Sequence, residues 1–266
     1  MNHLQRDVAP ITGDRWADID AEAKERLQVA LAARKLVDFS GPHGWEYSAT
    51  SLGRTEAVSV APAEGVQARR RRVLPLVELR CPFALSRDEL RAGDRGAVDV
   101  DYAPLDDAAR RMATAENVAV MHGVGDGGIT ASSSHPAITL SQDFDDYPSD
   151  VAKALELLRR EGVGGPYGLA LGPACYTGVI ESTEHGGYLV LDHLSKILGG
   201  PVVWAPGVDG AVVLSLRGGD FLFESGQDLS VGYGGHDDDE VGLYLEESFS
   251  FRVATPEAAV ALTLGG

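Results

Sequence analysis

The chain has 266 residues, 44% of them hydrophobic, enough to bury a sizeable core in one large domain or two lobes. Its net charge of −17 is uneven: residues 1–133 carry 17 Lys/Arg against 20 Asp/Glu, and residues 134–266 carry 6 against 20. So acidic a second half repels phosphate backbones and speaks against a nucleic-acid partner, and no apolar run is long enough to span a membrane.

The start, MNHLQRDVAP, lacks the apolar segment of a secretory signal. Cys81 and Cys175 have no metal-ligand spacing and read as two buried thiols of a cytosolic protein. Residues 14–33 place Trp16, Ile19, Ala23, Leu27, Ala30 and Leu31 at three- and four-residue steps, which predicts an amphipathic helix capped by Thr12 or Asp14. Residues 41–85 read as an extended arm. Trp45–Ser51 and Arg54–Val60 are strand-like around Gly53, Pro62–Gly65 forms a polar tip, and Val73, Leu76, Val77 and Leu79 lie on the return strand. Arg69, Arg70, Arg71 and Arg72 sit at the arm's base and, in so acidic a chain, point to intersubunit ion pairs with carboxylates.

A second helix, 104–122, opens at Pro104 and ends at Gly123, with a stripe of small residues through Leu105, Ala108, Ala109, Met112, Ala115 and Ala119. Gly123–Gly128 matches G-x-G-x-x-G, but a helix precedes it and a serine-rich stretch follows. That context predicts a hinge between lobes rather than a dinucleotide site. From Pro148 helices and strands alternate. Ser149 caps a helix through Val151, Ala154, Leu155 and Leu158, followed by a strand at Tyr167–Leu171 and helices at Pro173–Ser182 and Tyr188–Leu198. Strands follow at Pro201–Ala205 and Ala211–Leu216, then at Phe221–Phe223, Leu229–Tyr233 and Val241–Val253, with Ala258–Leu264 last. Val241, Leu243, Leu245, Phe249, Phe251 and Val253 keep one parity, so the long strand is expected to have one dry face. The class is α+β, with a lobe at 137–218 inserted in a domain built from both chain ends.

No reaction chemistry emerges. The seven histidines are scattered without an HExxH pair, and no G-x-S-x-G elbow occurs. His236–Glu240 is the densest ligand-like run, yet adjacent residues of a turn do not converge on one ion. The expectation is a protein that is no enzyme, with no catalytic residue, no metal and no cofactor.

Several stretches carry a resemblance in one order along the chain: Arg6–Ile11 with Trp16, Ala33–Asp38, Gly41–Pro42 with Gly44–Tyr47, Pro75–Arg80, and Gly165–Tyr167. They are followed by RGGDF at 217–221, GQDLSVGY at 226–233 and LYLEESFSFRV at 243–253. Together these resemble the encapsulin family of bacterial shell proteins (family 1, linocin-like), which have the fold of HK97-type phage capsid proteins. The resemblance implies a peripheral domain from the N-terminal arm and helix (1–40), 86–136 and 219–266. It makes 41–85 the E-loop that reaches over a neighbouring subunit, and 137–218 the axial domain. It implies self-assembly into an icosahedral cytoplasmic nanocompartment, a 60-mer, around a dye-decolorising peroxidase or ferritin-like cargo protein. The cargo's C-terminal targeting peptide is then expected between the N-terminal helix (Leu27, Leu31, Arg34, Asp38) and the C-terminal sheet (Val231, Tyr233, Leu245). The loop Glu184, His185, Gly186, Gly187, Tyr188 is expected to line a pore, as copies around an axis form charge rings with Glu184 dominant while His185 is neutral. The alternatives are a prophage capsid protein, disfavoured because the chain starts directly at the folded N-terminal motif, and a peptidase or bacteriocin, disfavoured by the missing nucleophile–base set.

Overall fold

Helix α1, Gly13–Ala30, starts where the Thr12 hydroxyl accepts the Arg15 amide and buries its apolar stripe from Trp16 to Ala30. It stops three residues short of the expected end. The Ala32 and Ala33 amides turn from the helix ladder to the buried Asn117 Oδ1, at 2.9 and 3.0 Å, and Ala33–Lys35 forms only one tight 3₁₀ turn. The computed structural model describes residues 3–60, 63–124, 126–184 and 187–265.

Beyond that turn, β1 (Asp38–Ser40) precedes the ribbon of β2 (Ala49–Ala57) and β3 (Arg69–Pro75), which is largely exposed. Pro62, at the expected arm tip, lies outside the described residues. β4 (Val77–Ser86) leads into α2 (Arg87–Asp94), which begins where the Ser86 hydroxyl accepts the Glu89 amide. α3 (Ala103–Met121) follows, close to its expected bounds. The glycine run gives a small hairpin, β5 (Gly123–Val124) and β6 (Asp126–Gly127), then the four-residue α4 (Ile129–Ser132), and Gly125 lies outside the described residues. Next come β7 (Ile138–Leu140) and α5 (Tyr147–Arg160), which starts two residues before Ser149 with Pro148 in its first turn. β8 (Tyr167–Leu171), α6 (Pro173–Glu181), α7 (Val190–Leu198), β9 (Val202–Trp204) and β10 (Ala211–Ser215) complete the middle of the chain. β11 (Phe221–Ser225), β12 (Ser230–His236), β13 (Glu240–Val253) and β14 (Ala259–Leu264) close it.

Two five-stranded sheets organise these elements. In the first, β13 pairs antiparallel with β4, β11 and β12, and β1 adds in parallel to β11. β4 is therefore not only the return of the arm. Residues 77–85, grouped by sequence with 41–85, are hydrogen-bonded along β13, and Phe83 and Leu85 bury against α1 and α3. β13 is covered on both faces rather than one, because Tyr244, Glu246, Ser248 and Ser250 are also buried. The second sheet has the order β7-β14-β10-β8-β9. Its member β14 corrects the grouping of 219–266: it pairs with β10 from Ala211↔Leu262 to Leu214↔Ala259, inside the lobe expected from 137–218 alone. Val260 and Leu262 are buried there, and a strand with such a face is stable only where that face is covered.

Candidate functional site

A groove of about 570 Å³ runs between α1 and β12–β13, with Leu27, Leu31, Val231 and Leu245 in its lining and Arg34 at one end. Lys24 and Gln28 stand on its exposed rim. The third wall is the segment before α1. The Tyr233 amide donates to the Leu4 carbonyl at 2.9 Å, and Arg6 Nε donates to the Val231 carbonyl at 2.8 Å. Arg6 also forks Asp20 at 2.8 and 2.6 Å and lies over the Trp16 ring at 4.4 Å. The N-terminal segment is thus strapped along the outer edge of β12.

Five of the seven residues expected to hold the peptide meet at this groove, and two do not. Asp38 lies past the 3₁₀ turn, on β1, where its Oδ2 accepts the Gly219 amide at 2.6 Å and fastens the Gly218–Gly219 turn. Tyr233 sits where the strap crosses the sheet, and its hydroxyl bonds His236 Nδ1. The four apolar members are already packed, with Leu27 at 6% and Leu31 at 9% exposure. They serve the core of the subunit as well as the groove.

Arg34 is held beneath the groove by three carboxylates. Its Nε reaches Glu116 Oε2 at 2.7 Å, Nη1 reaches Asp228 Oδ1 at 2.6 Å and Nη2 reaches Glu247 Oε2 at 2.8 Å. Phe39 and Phe223 lie against the guanidinium at 4.9 and 5.5 Å. Burial disfavours its charge, but Glu116, Glu247 and Asp228 together hold its pKa above the ordinary value. Burial pushes the Glu247 carboxyl well above the usual range, reinforced by Glu116, and burial also raises Glu116 against the pull of Arg34. Neither glutamate was singled out from sequence, yet each had a signal. Glu247 shares the odd parity of Leu245 and Phe249, and Glu116 lies four residues past Met112 in the apolar stripe of α3.

Glu184 lies between α6 and α7, and His185 and Gly186 are outside the described residues. The Glu184 amide donates to the Tyr188 carbonyl at 2.8 Å and the Gly187 amide to the Glu184 carbonyl at 2.9 Å, closing a tight turn. The Glu184 carboxylate has a partner that the sequence reading did not give it, His193 Nδ1 at 2.6 Å. α7 starts at Val190, two residues later than Tyr188, which leaves Tyr188 in the loop with Lys196 at 4.8 Å over its ring.

Elsewhere, Asp237 in the acidic turn accepts the Glu240 and Asp239 amides at 2.8 and 2.9 Å, which holds its carboxyl below the usual range. That is turn geometry. Among the described residues no group of three His, Cys, Asp or Glu side chains is placed to hold a metal ion. Cys175 is buried as expected, but Cys81 is only half-buried. Among the described residues no helix is long and apolar enough to cross a membrane.

The exposed ribbon, the sheet around β13 and the second lobe form the fold of HK97-type capsid proteins. The structure is similar to a virus-like particle from Pyrococcus furiosus, with a TM-score of 0.62 at 17% identity, over 92% of this chain and 98% of that one. It is similar also to the capsid of an empty GTA particle, with a TM-score of 0.55 at 15% identity, over 89% and 90%. In sequence, the family model described as an encapsulating protein for peroxidase matches residues 1–250. The type 1 encapsulin shell protein of Rhodospirillum rubrum is 51% identical over 98% of this chain and 96% of its own. That of Mycobacterium tuberculosis is 43% identical over 99% and 100%. The chain belongs to the family of type 1 encapsulin shell proteins.

Proposed function

We propose that copies of this chain close into an icosahedral 60-mer in the bacterial cytoplasm and hold a cargo enzyme through the groove beside α1. The subunit itself runs no reaction. The description of its family model supports a peroxidase as cargo, with a ferritin-like protein second. The observation that carries the reading is the groove itself, formed within one subunit, where Leu27, Leu31, Val231 and Leu245 lie among the charged Arg6, Asp20, Arg34 and Asp228, with exposed Lys24 and Gln28 at its rim. A cargo protein's C-terminal peptide fits such a channel, as apolar anchors seated in a preformed slot bind without a large ordering cost. The exposed ribbon of β2 and β3 serves as the arm over a neighbouring subunit, and the loop from Glu184 to Tyr188 serves as the pore lining.

The test co-expresses the full chain with a fluorescent reporter carrying the C-terminal segment of the neighbouring cargo gene. Hollow megadalton particles containing reporter are expected. Gln28→Trp, which fills the groove from its exposed rim, should lower loading while particle yield holds. A monomer or dimer at neutral pH would overturn the assembly reading, and unchanged loading in Gln28→Trp would remove the groove from cargo binding.

A further inference from the structure

Glu116 and Glu247 are buried acids, their side chains 0% and 1% exposed. Each gives one oxygen to Arg34 and turns the other, Oε1, into the interior. Both carboxyls are thus anchored on one guanidinium, and neither Oε1 has a hydrogen-bond partner among the described residues. Two ionised carboxylates repel in so dry a site, and the single charge of Arg34, which also holds Asp228, does not offset both, so a proton on one of them relieves the excess.

Among the described residues, no cation other than Arg34 is paired with either glutamate. The turn after α1 offers Arg34, while its other cation, Lys35, is exposed and donates to the Val29 carbonyl at 3.3 Å; the loop before β12 offers a third carboxylate, Asp228. On β13 the neighbouring Glu246 is engaged by Arg80 and His3 instead. β1 and β11 present the Phe39 and Phe223 rings, and β4 places Leu79 opposite Glu247. Asn117, next to Glu116, is neutral and spent on the end of α1.

We propose that Glu116 and Glu247 share one proton at neutral pH, and that this proton latches the wall of the groove by leaving Arg34 free to hold Asp228. As pH rises the proton passes to solvent and a second full negative charge is left in the interior. Arg34 then serves two buried anions, and Asp228, whose side chain is 40% exposed, is the partner that water can take over. Asp228 Oδ1 also accepts the Leu229 amide at 2.8 Å, so its departure frees the start of β12. The sign follows from linkage. The pair keeps a proton where carboxyls of the unfolded chain have lost theirs, so stability falls as pH rises from the ordinary carboxylate range and levels off once the pair is ionised.

What this loosening does to cargo rests on the groove being the cargo site; the latch itself does not. The experiment titrates assembled full-length shells between about pH 5 and about pH 10, well above the ordinary carboxylate range. It follows the infrared C=O band of protonated carboxylic acid and, in parallel, hydrogen exchange of the amides at 226–231, corrected against an unstructured peptide. In wild type the band should persist at neutral pH and vanish on alkalinisation, with the opening equilibrium of 226–231 rising up to about tenfold per pH unit in step. In Glu116→Gln the band should be missing and the corrected exchange flat. Glu247→Gln removes the same proton and gives the same answer if Glu116→Gln fails to assemble. No band at neutral pH, a band surviving in both variants, or the same exchange slope in wild type and variant would overturn the proposal. Reporter loading that stays constant while band and exchange titrate together would remove the groove from cargo binding and leave the latch standing.

Discussion

Asn117→Ala is the substitution whose cost the structure specifies most closely. The Asn117 side chain is fully buried. Its Oδ1 accepts the Ala32 and Ala33 amides at 2.9 and 3.0 Å, and its Nδ2 donates to the Ala30 and Pro206 carbonyls at 2.9 and 3.0 Å. Alanine leaves two amides and two carbonyls without this partner in a site closed to bulk water. At about 1 kcal/mol for each lost bond, and somewhat more for groups left unsatisfied, the loss is about 3–5 kcal/mol. With a urea dependence of about 3 kcal/mol per M, the unfolding midpoint should fall by about 1–1.7 M. The assay is equilibrium urea unfolding of purified shells at fixed subunit concentration, since dissociation is coupled to unfolding. A midpoint within about 0.3 M of wild type would mean that water or a shifted helix end replaces the amide, and that Asn117 does not set where α1 stops.

Three further outcomes follow from the same geometry. Leu27→Asp places a carboxylate where only 6% of the residue is exposed, so at a cost above about 3 kcal/mol it should yield insoluble subunits rather than empty shells; soluble, normally sized particles would contradict the packing. Gly232→Ala drives a Cβ into the Tyr244 ring, which is itself backed by Arg80 at 3.9 Å, and should cost about 1–3 kcal/mol in the thermal unfolding of shells, with Tyr244→Ala relieving the clash in the double variant. Glu184→Gln should slow admission of ferrous iron to an encapsulated iron-oxidising reporter while leaving neutral solutes unchanged, and the difference should shrink at 1 M salt, where the Debye length is about 3 Å. Equal iron rates at low salt, with admission limiting, would mean that Glu184 is not part of the gate.

The elements with strong periodicity were legible in the sequence: the stripes of α1 and α3, the alternation of β13, the serine and glycine punctuation around them. What escaped was long-range. That α1 ends at Ala30 is decided by Asn117, a residue 87 positions away from the carbonyl it caps, and no local pattern announces such a partner. β14 reads as a strand from its own residues, but its assignment to the second sheet depends on β10 and β7, which its sequence does not name. α2 was missed although Ser86 and Glu89 stand at capping-box spacing, because the helix is only eight residues long and carries a weak apolar stripe. The charge cluster was half-legible. Glutamates at 116 and 247 break two clean apolar patterns, and a charge on a dry face requires a buried counter-charge, but only the fold shows that both breaks meet at Arg34.

The groove is fixed from both ends by polar contacts that an apolar pattern cannot reveal. At the C-terminal end of α1, Asn117 holds the amides of residues 32 and 33, and Arg34 ties the next turn to Asp228 and so to the start of β12. Beside the other end, Arg6 bridges Asp20 on the helix and the Val231 carbonyl on the strand. Two main-chain groups on the outer edge of β12, the Val231 carbonyl and the Tyr233 amide, are therefore already engaged by the subunit's own N-terminal segment. A peptide entering this groove cannot extend the sheet at those positions without displacing that strap, which would also break the Arg6–Asp20 fork. Recognition then falls to side chains against Leu27, Leu31 and Leu245 and to the rim at Lys24 and Gln28. On the proposed role of the groove, selectivity would then rest on shape, apolar anchoring and the rim, because the Arg6–Asp20 and Arg34–Asp228 charges are spent on one another rather than on a ligand.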